Sequence, residues 1–368
     1  MRRSRKPITI AARSSRLARV QAEMVGRGLR KLHPQVEVRF RWIESAGDQH
    51  ADVPLSQVGG KGLFVSSVEQ AVLSGQADLA VHSMKDVPCD VATPGLTFAA
   101  TPKRAEVHDV LIARDGVTRL EDLPNAAVLG TASPRRAAQA RALRPDLQTK
   151  LIRGNVETRL SKAADEQGGY HATLLAACGL RRLGLNNRPD ASAISIDAML
   201  PAAGQGALCL QCRSDDHITL TRCLPLNHPL SSAAIHAERA VVAGLKAGCH
   251  SPVAVLAERV ELDAAGAKRN ADAHWFRLRA EVVSIDGRRR ASFDQQVKTS
   301  DLGRLPAKAV ESLQEQGARD ILAEAARLGL TPPEGTSRAR PSRADARRPQ
   351  QPKDAQDPRD RLADAIRA

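Results

Sequence analysis

An aspartate and a lysine stand together at the end of a predicted buried strand. The segment ADLAVHSMKDVP, residues 77–88, begins with the apolar run of a strand and then places Lys85 and Asp86 just before Pro88. Because neighbouring residues on a strand point to opposite faces, we expect these two side chains to need separate partners. A strand that simply emerges into solvent would explain the pair without chemistry. A carboxylate held at the mouth of a buried strand could instead accept N–H bonds and transfer protons.

Basic and hydroxyl side chains follow several predicted strands where the next helix begins. In parallel α/β sheets, ligands bind outside the carboxyl ends of the strands, where helix N-termini favour anions. The residues at these junctions are Arg13, Ser15, Thr131, Ser133, Arg135, Arg136, Arg153, Arg159 and Arg182. Solvated surface arginines would explain any one junction alone. Arginine binds carboxylates through paired N–H bonds, so four such junctions together indicate a cleft for a polyanion, either a polycarboxylate or a phosphate.

Three further motifs contain cysteine or lysine residues that could have a chemical role. The segment LKAGCHSP places Cys249 in a predicted loop, where a thiol near basic residues can be nucleophilic, although an idle loop cysteine is the alternative. The loop GGKGLF, which contains Lys61, lacks the spacing of a phosphate-binding loop. The pair in CLQC, residues 209–212, has no second pair of ligands to complete a zinc site. The sequence therefore predicts no metal.

Composition limits the classes of partner. The net charge is +14, which attracts nucleic acid, anionic lipid or acidic small molecules. Aromatic residues make up 2% of the chain, too few for the base stacking of single-stranded nucleic-acid binding. No apolar stretch reaches the ~20 residues of a membrane span. The six cysteines show no secreted-domain framework, so we expect thiols in a cytosolic protein.

Helical segments alternate with short apolar strands in the first two thirds of the chain. This alternation predicts two α/β units with mostly parallel sheets. Residues 251–328 differ: they predict a hairpin that turns at Asp286-Gly287, followed by one long amphipathic helix, as in a small α+β domain. Residues 331–368 are poor in large apolar groups and are predicted to be disordered.

These motifs together resemble the porphobilinogen deaminase family over about residues 8–328. The resemblance rests on GGKGLF, VHSMKDVP, GTASPRR, LIRGNVETRLSK, GLRRLGL, AAGQGA, AERA and AGC, in that order. It implies an α/β fold with two lobes like those of type II periplasmic binding proteins, plus a small α+β C-terminal domain. The implied boundaries are 1–104 with 204–222 for the first, discontinuous lobe, 105–203 for the second lobe, 223–330 for the third domain, and 331–368 for the tail.

The resemblance also implies a reaction and a set of site residues. Members of this family are transferases of porphyrin and haem biosynthesis. They join four porphobilinogens, with loss of ammonia, into the linear tetrapyrrole hydroxymethylbilane. Its dipyrromethane cofactor would be attached as a thioether to Cys249, and Asp86 would be catalytic. Cofactor and substrate contacts would come from Arg13, Ser15, Lys61, Lys85, Thr131, Ser133, Arg135, Arg136, Arg153, Arg159 and Arg182. The implied protein is a cytoplasmic monomer without nucleic-acid or membrane partners.

Some positions depart from the family pattern, and two other function classes stay open. Arg16 stands where a proline is usual, Ala132 replaces a frequent serine and Pro134 a frequent leucine. A binding or sensing protein could use the same two-lobe fold, but it would not need a tethering cysteine. A nucleic-acid-binding protein would show a contiguous basic face instead of arginines spread over strand ends.

Overall fold

The computed structural model describes residues 6–44, 65–89, 93–248, 250–260 and 275–328. Lys61, Cys249 and the tail 331–368, for which the sequence makes specific predictions, lie outside these described residues.

The first hundred residues alternate strands with helices as predicted. Their elements are β1 (Ile8–Arg13), α1 (Arg16–Leu32), β2 (Val38–Ile43), α2 (Ser66–Leu73), β3 (Leu79–Ser83) and β4 (Leu96–Ala100). Helix α1 buries Ala22, Val25 and Leu29, which recur at helical spacing and pack in one core with Ile8 and Ile10 of β1.

The next hundred residues repeat this alternation. Their elements are β5 (Asp109–Ala113), β6 (Val128–Gly130), α3 (Pro134–Leu143), β7 (Gln148–Lys150), α4 (Val156–Ala164), β8 (Ala172–Ala176), α5 (Ala177–Arg182) and β9 (Ala191–Ala193). Helix α3 begins as the sequence predicts, since Ser133 is the N-cap and Pro134 the first helical residue.

The last part of the chain contains β10 (Leu208–Arg213), α6 (His217–Cys223), α7 (Pro229–Gly244), β11 (Val253–Val260), β12 (Trp275–Val283), β13 (Arg290–Lys298), α8 (Leu305–Glu315) and α9 (Ala318–Arg327). The predicted hairpin is confirmed: β12 pairs with β13 across a turn in which Gly287 has a φ of 79°. The prediction of one long helix after it is wrong. Gly317 adopts a φ of 87° and separates α8 from α9, because a left-handed residue cannot continue a right-handed helix.

Two five-stranded sheets form the two lobes, and they share one plan. The orders are β2-β1-β3-β10-β4 and β7-β6-β8-β5-β9. In each sheet the fourth strand, β10 or β5, is antiparallel to both neighbours and arrives directly from the other lobe. The chain therefore crosses between the lobes twice, once between Ala100 and Asp109 and once between Ala193 and Leu208.

A third, antiparallel sheet, β11-β12-β13, packs against helices α7, α8 and α9. Its core joins Val255, Phe276 and Leu278 of the sheet to Val241 of α7 and Leu313 of α8. The predicted fold class, two α/β lobes followed by a small α+β unit, is thereby confirmed. The prediction of mostly parallel sheets is wrong, because the strand that arrives from the other lobe pairs antiparallel on both sides and leaves two parallel and two antiparallel pairings in each lobe.

Candidate active site

Asp86 lies on a 3-10 turn, Met84–Asp86, that begins where β3 ends. The turn is held in place because Met84 is fully buried and its N–H donates to the Ala207 carbonyl at 3.0 Å. The expectation that Lys85 and Asp86 alternate across a strand is therefore wrong, since the strand stops at Ser83. The turn still separates the two side chains, and it holds a half-buried carboxylate on a rigid support.

A cavity in the first lobe opens beside Asp86. Its polar lining consists of Arg13, Ser15, Gln21, His82, Ser83 and Asp86, and its apolar lining of Leu17, Ala18, Val65 and Val81. Ser15 is the N-cap of α1, but its side chain makes no capping bond. Gln21 donates to the Ser83 hydroxyl at 3.0 Å. The cavity therefore joins the predicted residues Arg13, Ser15 and Asp86 in one place.

Arg159 of the second lobe lies within electrostatic range of Asp86 and of arginines from both lobes. The pKa of Arg159 is lowered to about 10, first by burial and then by the positive charge of Arg136, with Arg153 and Arg13 adding to it. Asp86 acts in the opposite direction and raises the pKa of Arg159. Three arginines thus repel Arg159 while Asp86 stabilises it, which is the electrostatic environment that further carboxylates would stabilise.

The lobes are in direct contact at the mouth of this region. Arg16, the first residue of α1, donates to the Glu157 carboxylate of α4 at 3.2 Å. In the same region, a Cβ on Gly179 of α5 would lie 3.7 Å from the Leu17 side chain. The N-terminal ends of α1 and α4, one from each lobe, therefore lie next to each other.

His82 lies in the wall of the cavity and is buried. Burial lowers its pKa to about 4, and Gln211 opposes the shift while Arg13 adds to it. Its Nε2 atom is buried and has no hydrogen-bond partner among the described residues. At neutral pH the imidazole is therefore uncharged and adds no further cation to the cluster.

Arg135 and Arg136 share one buried partner, Asp109. Arg135 Nη2 donates to Asp109 Oδ2 at 2.7 Å, and Arg136 Nη2 donates to Asp109 Oδ1 at 2.7 Å. The other terminal nitrogens donate to the carbonyls of Leu200 and Leu174, each at 2.8 Å. Burial would raise the pKa of Asp109, but the two guanidiniums outweigh it and hold this pKa well below its usual range.

Lys85 belongs to the same cluster through Gln205. Its Nζ donates to Gln205 Oε1 at 3.1 Å, and Gln205 Nε2 donates to Asp109 Oδ1 at 2.9 Å. Burial lowers the pKa of Lys85, and Arg136 lowers it further, while Asp86 and Asp109 oppose the shift. Lys85 is therefore a half-buried cation that interacts with both carboxylates.

The remaining predicted residues have mainly local partners. Ser133 Oγ accepts from the Arg136 N–H at 3.4 Å, and Thr131 Oγ1 accepts from the Ser133 N–H at 3.1 Å, so both hydroxyls shape the start of α3. Arg182 Nη2 donates to the Gly206 carbonyl at 2.7 Å. Its Nε is buried without a hydrogen-bond partner among the described residues.

Cys249 and Lys61 lie outside the described residues, but the neighbours of Cys249 are described. The pKa of His250 is lowered by burial and by Arg153, and Asp86 opposes the shift. The Gly248 N–H donates to the Ser251 hydroxyl at 3.0 Å. The residue after Cys249 is thus within electrostatic range of the arginine cluster.

Sequence reasoning missed Asp109, Gln205 and the pair formed by Arg104 and Glu238. Glu238 is fully buried and accepts from Arg104 Nη1 at 2.5 Å and Nη2 at 3.1 Å. It also accepts from the backbone N–H groups of Gly204 and Ala257, at 2.7 and 2.8 Å. The only signals were the motifs AAGQGA and AERA, which contain Gln205 and Glu238 but do not indicate their partners.

Within the described ranges, the structure contains no group of three or more His, Cys, Asp or Glu side chains that could hold a metal ion. The CLQC cysteines lie on β10, and both side chains are buried. No helix in the described part of the chain is long and apolar enough to cross a membrane.

Comparison with known proteins gives consistent matches. Residues 8–221 match the family model "Porphobilinogen deaminase, dipyromethane cofactor binding domain", and residues 232–315 match "Porphobilinogen deaminase, C-terminal domain". The porphobilinogen deaminase of Ralstonia nicotianae is 41% identical over 332 residues, which is 89% of this chain and 94% of that protein. That of Thiobacillus denitrificans is 41% identical over 315 residues, covering 86% of this chain and 97% of that protein.

Among solved structures, the periplasmic aliphatic sulphonate binding protein SsuA from Escherichia coli aligns with a TM-score of 0.35 and 14% identity, over 65% of this chain and 70% of that chain. This likeness is too distant to support an argument about function. The family models and the sequence relatives are close and span most of the chain. The chain therefore belongs to the porphobilinogen deaminase family, the transferases that polymerise porphobilinogen in tetrapyrrole biosynthesis with a dipyrromethane cofactor.

Proposed function

We propose that Asp86 is the catalytic group of this reaction, that Cys249 carries the cofactor, and that the cleft arginines bind the carboxylates of cofactor and substrate. The observation that supports this best is the arrangement around Asp86. Asp86 is a half-buried carboxylate that shares a cavity with Arg13, and Arg13 and Arg153 lower the pKa of Arg159 while Asp86 raises it. Such a site favours a ligand that is both polyanionic and able to donate N–H bonds to the carboxylate.

The described residues fit a dipyrromethane. Each pyrrole of this cofactor carries an acetate and a propionate, so two rings present four carboxylates. The cluster offers cations in excess of its own carboxylates, Asp86 and Asp109. Arg136 and Arg153 are buried, and Arg159 and Lys85 are half-buried. When bound, the cofactor supplies the pyrrole carbon to which the first substrate unit is joined.

Asp86 has a defined role in this site. Loss of ammonia from porphobilinogen leaves an electron-poor methylenepyrrolenine, and positive charge develops on its pyrrole nitrogen. A fixed carboxylate accepts the pyrrole N–H and stabilises that charge, and it can pass a proton between steps. The buried Met84 and the bond from its N–H to Ala207 hold Asp86 in place, so little reorganisation is needed.

The burial of the other cysteines supports Cys249 as the site of cofactor attachment. Of the five described cysteines, Cys178, Cys209, Cys212 and Cys223 are buried and Cys89 is half-buried. Burial raises the pKa of Cys209 and Cys223 to about 12 and that of Cys212 to about 11, so these thiols are poor nucleophiles. His250, next to Cys249, lies within electrostatic range of Asp86, which suits attachment near the catalytic group.

The domain division is part of the proposal. Residues 1–104 with 204–222 form the first lobe, 105–203 the second, and 223–330 the cofactor-attachment domain, with a tail at 331–368. Sheet membership supports this division, because β10 completes the sheet of β1 to β4 while β5 to β9 form their own. We further propose a cytoplasmic monomer; the free thiols of Cys178, Cys209, Cys212 and Cys223 suit a reducing compartment.

Single-turnover consumption of porphobilinogen tests the role of Asp86. Asp86→Asn keeps the shape and removes the charge, so we expect a loss of ~10²–10⁴ in rate, the usual effect of removing a general acid or base. Asp86→Glu keeps the charge and should retain part of the activity. Asp320→Asn, an exposed aspartate of α9, is the matched control and should react at the parent rate. An Asp86→Asn rate within tenfold of the parent, at equal cofactor content, would exclude the catalytic role.

A further inference from the structure

We propose that Asp109 is a positioning residue, a single buried carboxylate that holds Arg135, Arg136 and, through Gln205, Lys85 in a preformed cationic cluster beside Asp86. This inference rests on the proposed function, because it assigns the cluster to the binding of a polycarboxylate cofactor. It concerns a residue that touches neither the substrate nor the reacting atoms.

The position of Asp109 explains why one side chain can reach all these groups. It is the first residue of β5, the strand that enters the second lobe directly from the first crossing. Its side chain is fully buried and accepts from Arg135, Arg136 and Gln205 at distances of 2.7 to 2.9 Å. The carboxylate thus links the start of α3 to the second crossing, where Gln205 lies.

Asp109 also determines which way the Gln205 amide faces. A carboxylate only accepts hydrogen bonds, so the amide nitrogen of Gln205 must point toward Asp109, and it also donates to the Val107 carbonyl at 2.7 Å. The amide oxygen then faces Lys85 Nζ at 3.1 Å. Asp109 therefore orients Lys85 of the first lobe without touching it.

The charges of this cluster do not cancel. Arg135, Arg136 and Lys85 share Asp109 as their common buried counter-ion, and Lys85 also feels Asp86. Arg136 in turn lowers the pKa of both Lys85 and Arg159, so the cations repel one another. Cofactor carboxylates would relieve this repulsion, and Asp109 would keep the cations close together before the cofactor is attached.

A purely structural carboxylate and a positioning carboxylate give different results in cofactor-free and loaded protein. If Asp109 only packs in the core and accepts hydrogen bonds, Asp109→Asn lowers the thermal unfolding midpoint equally in the cofactor-free and the loaded protein. If it holds mutually repelling cations for a polyanion, the cofactor-free protein loses more, because only the loaded protein has other carboxylates to offset the missing charge. The gap between the two midpoints should therefore widen by several degrees.

The experiment compares thermal unfolding of the parent and of Cys249→Ser, the cofactor-free form, each with and without Asp109→Asn. Asp146→Asn is the matched control, since Asp146 pairs with Arg144 on an exposed part of the second lobe and should leave the gap unchanged. An unchanged gap for Asp109→Asn overturns the inference. The proposed function fails separately, if intact mass shows that the parent carries no dipyrrole.

If Asp109→Asn does not fold, a second variant, Gln205→Leu, tests the positioning of Lys85. Gln205→Leu removes the acceptor for Lys85 and leaves the pairs of Asp109 with the arginines intact. The charged ammonium then loses a hydrogen bond, while Arg136, Asp86, Asp109 and Cys178 still surround it. The extent of Lys85 acetylation is measured by mass spectrometry as a function of pH. In Gln205→Leu the pH midpoint of this acetylation should be lower than in the parent. An unchanged profile would show that Gln205 does not position Lys85.

Discussion

Removing one charge from the buried ion pair between Arg104 and Glu238 should lower stability by several kcal/mol, about the usual cost of an uncompensated buried charge. Glu238 Oε1 accepts from Arg104 Nη1 and the Ala257 N–H, while Oε2 accepts from Arg104 Nη2 and the Gly204 N–H. In Glu238→Gln one of these oxygens becomes an NH₂ group. Whichever oxygen is replaced, one arginine bond and one backbone N–H bond are lost together.

The magnitude follows from burial. Breaking a buried pair by removing one charge typically costs about 3–5 kcal/mol, because the remaining charge stays buried without compensation. The side chain of Glu238 is 0% exposed and that of Arg104 is 10% exposed, so solvent offers little relief. We therefore expect Glu238→Gln to lower the free energy of unfolding by about 3–5 kcal/mol. Both lobe crossings and the third domain meet at this pair, so the loss should appear in the main unfolding transition.

Urea unfolding followed by circular dichroism measures this change. Glu258→Gln is the matched control: Glu258 pairs with the buried Arg279, but its own side chain is 30% exposed and Arg279 keeps a second carboxylate, that of Asp197. Because Arg279 then stays paired, we expect a loss of about 0–1 kcal/mol, as for solvent-exposed pairs. Replacing both Arg104 and Glu238 by methionine should recover part of the loss, because no charge is then left unpaired. If Glu238→Gln cost no more than Glu258→Gln, the reasoning would be refuted.

Two further predictions concern charge in the cleft. Burial lowers the pKa of His82 from 6.5 to about 4, so as the pH falls the unfolded chain binds a proton before the folded chain does. The free energy of unfolding should therefore decrease as the pH falls from 6.5 toward 4, and the loss should be about 2 kcal/mol at pH 5. His82→Gln should flatten this acid loss in urea unfolding, whereas the exposed His236→Gln should not. Arg159→Leu should keep the cofactor but accumulate partly elongated enzyme in native mass spectrometry, and the control Arg188→Leu should not. Equal product distributions in these two arginine variants would count against a cleft that binds the growing polyanion.

Local signals in the sequence were sufficient for much of the fold. Ser133 and Pro134 mark the start of α3 because capping depends on adjacent residues, and Asp286-Gly287 marks the hairpin for the same reason. The break at Gly317 was missed because the apolar periodicity continues on both sides of it. The 3-10 turn at Asp86 was also missed, since its geometry depends on the contact of Met84 with Ala207, far away in the chain.

The sequence predicted which types of residue form the candidate site better than it predicted which residues they pair with. Arginines at strand ends were expected to meet a polyanion. Arg13 lines a cavity with Asp86, and Arg159 is within electrostatic range of Asp86, Arg13 and Arg153. The pairing of Arg135 and Arg136 with Asp109 could not be foreseen, because the partners are 26 and 27 residues apart and nothing near Asp109 marks it as a counter-ion. Such pairs depend on sheet order, which the sequence pattern does not determine.

The central claim is that a dipyrromethane on Cys249 fills a cleft of arginines beside Asp86. Intact mass of the purified protein, followed by peptide mapping, tests it most directly. We expect a mass excess of one dipyrromethane, located on the peptide that contains Cys249 and lost in Cys249→Ser. An unmodified chain, or an adduct on any of the five described cysteines, would contradict it.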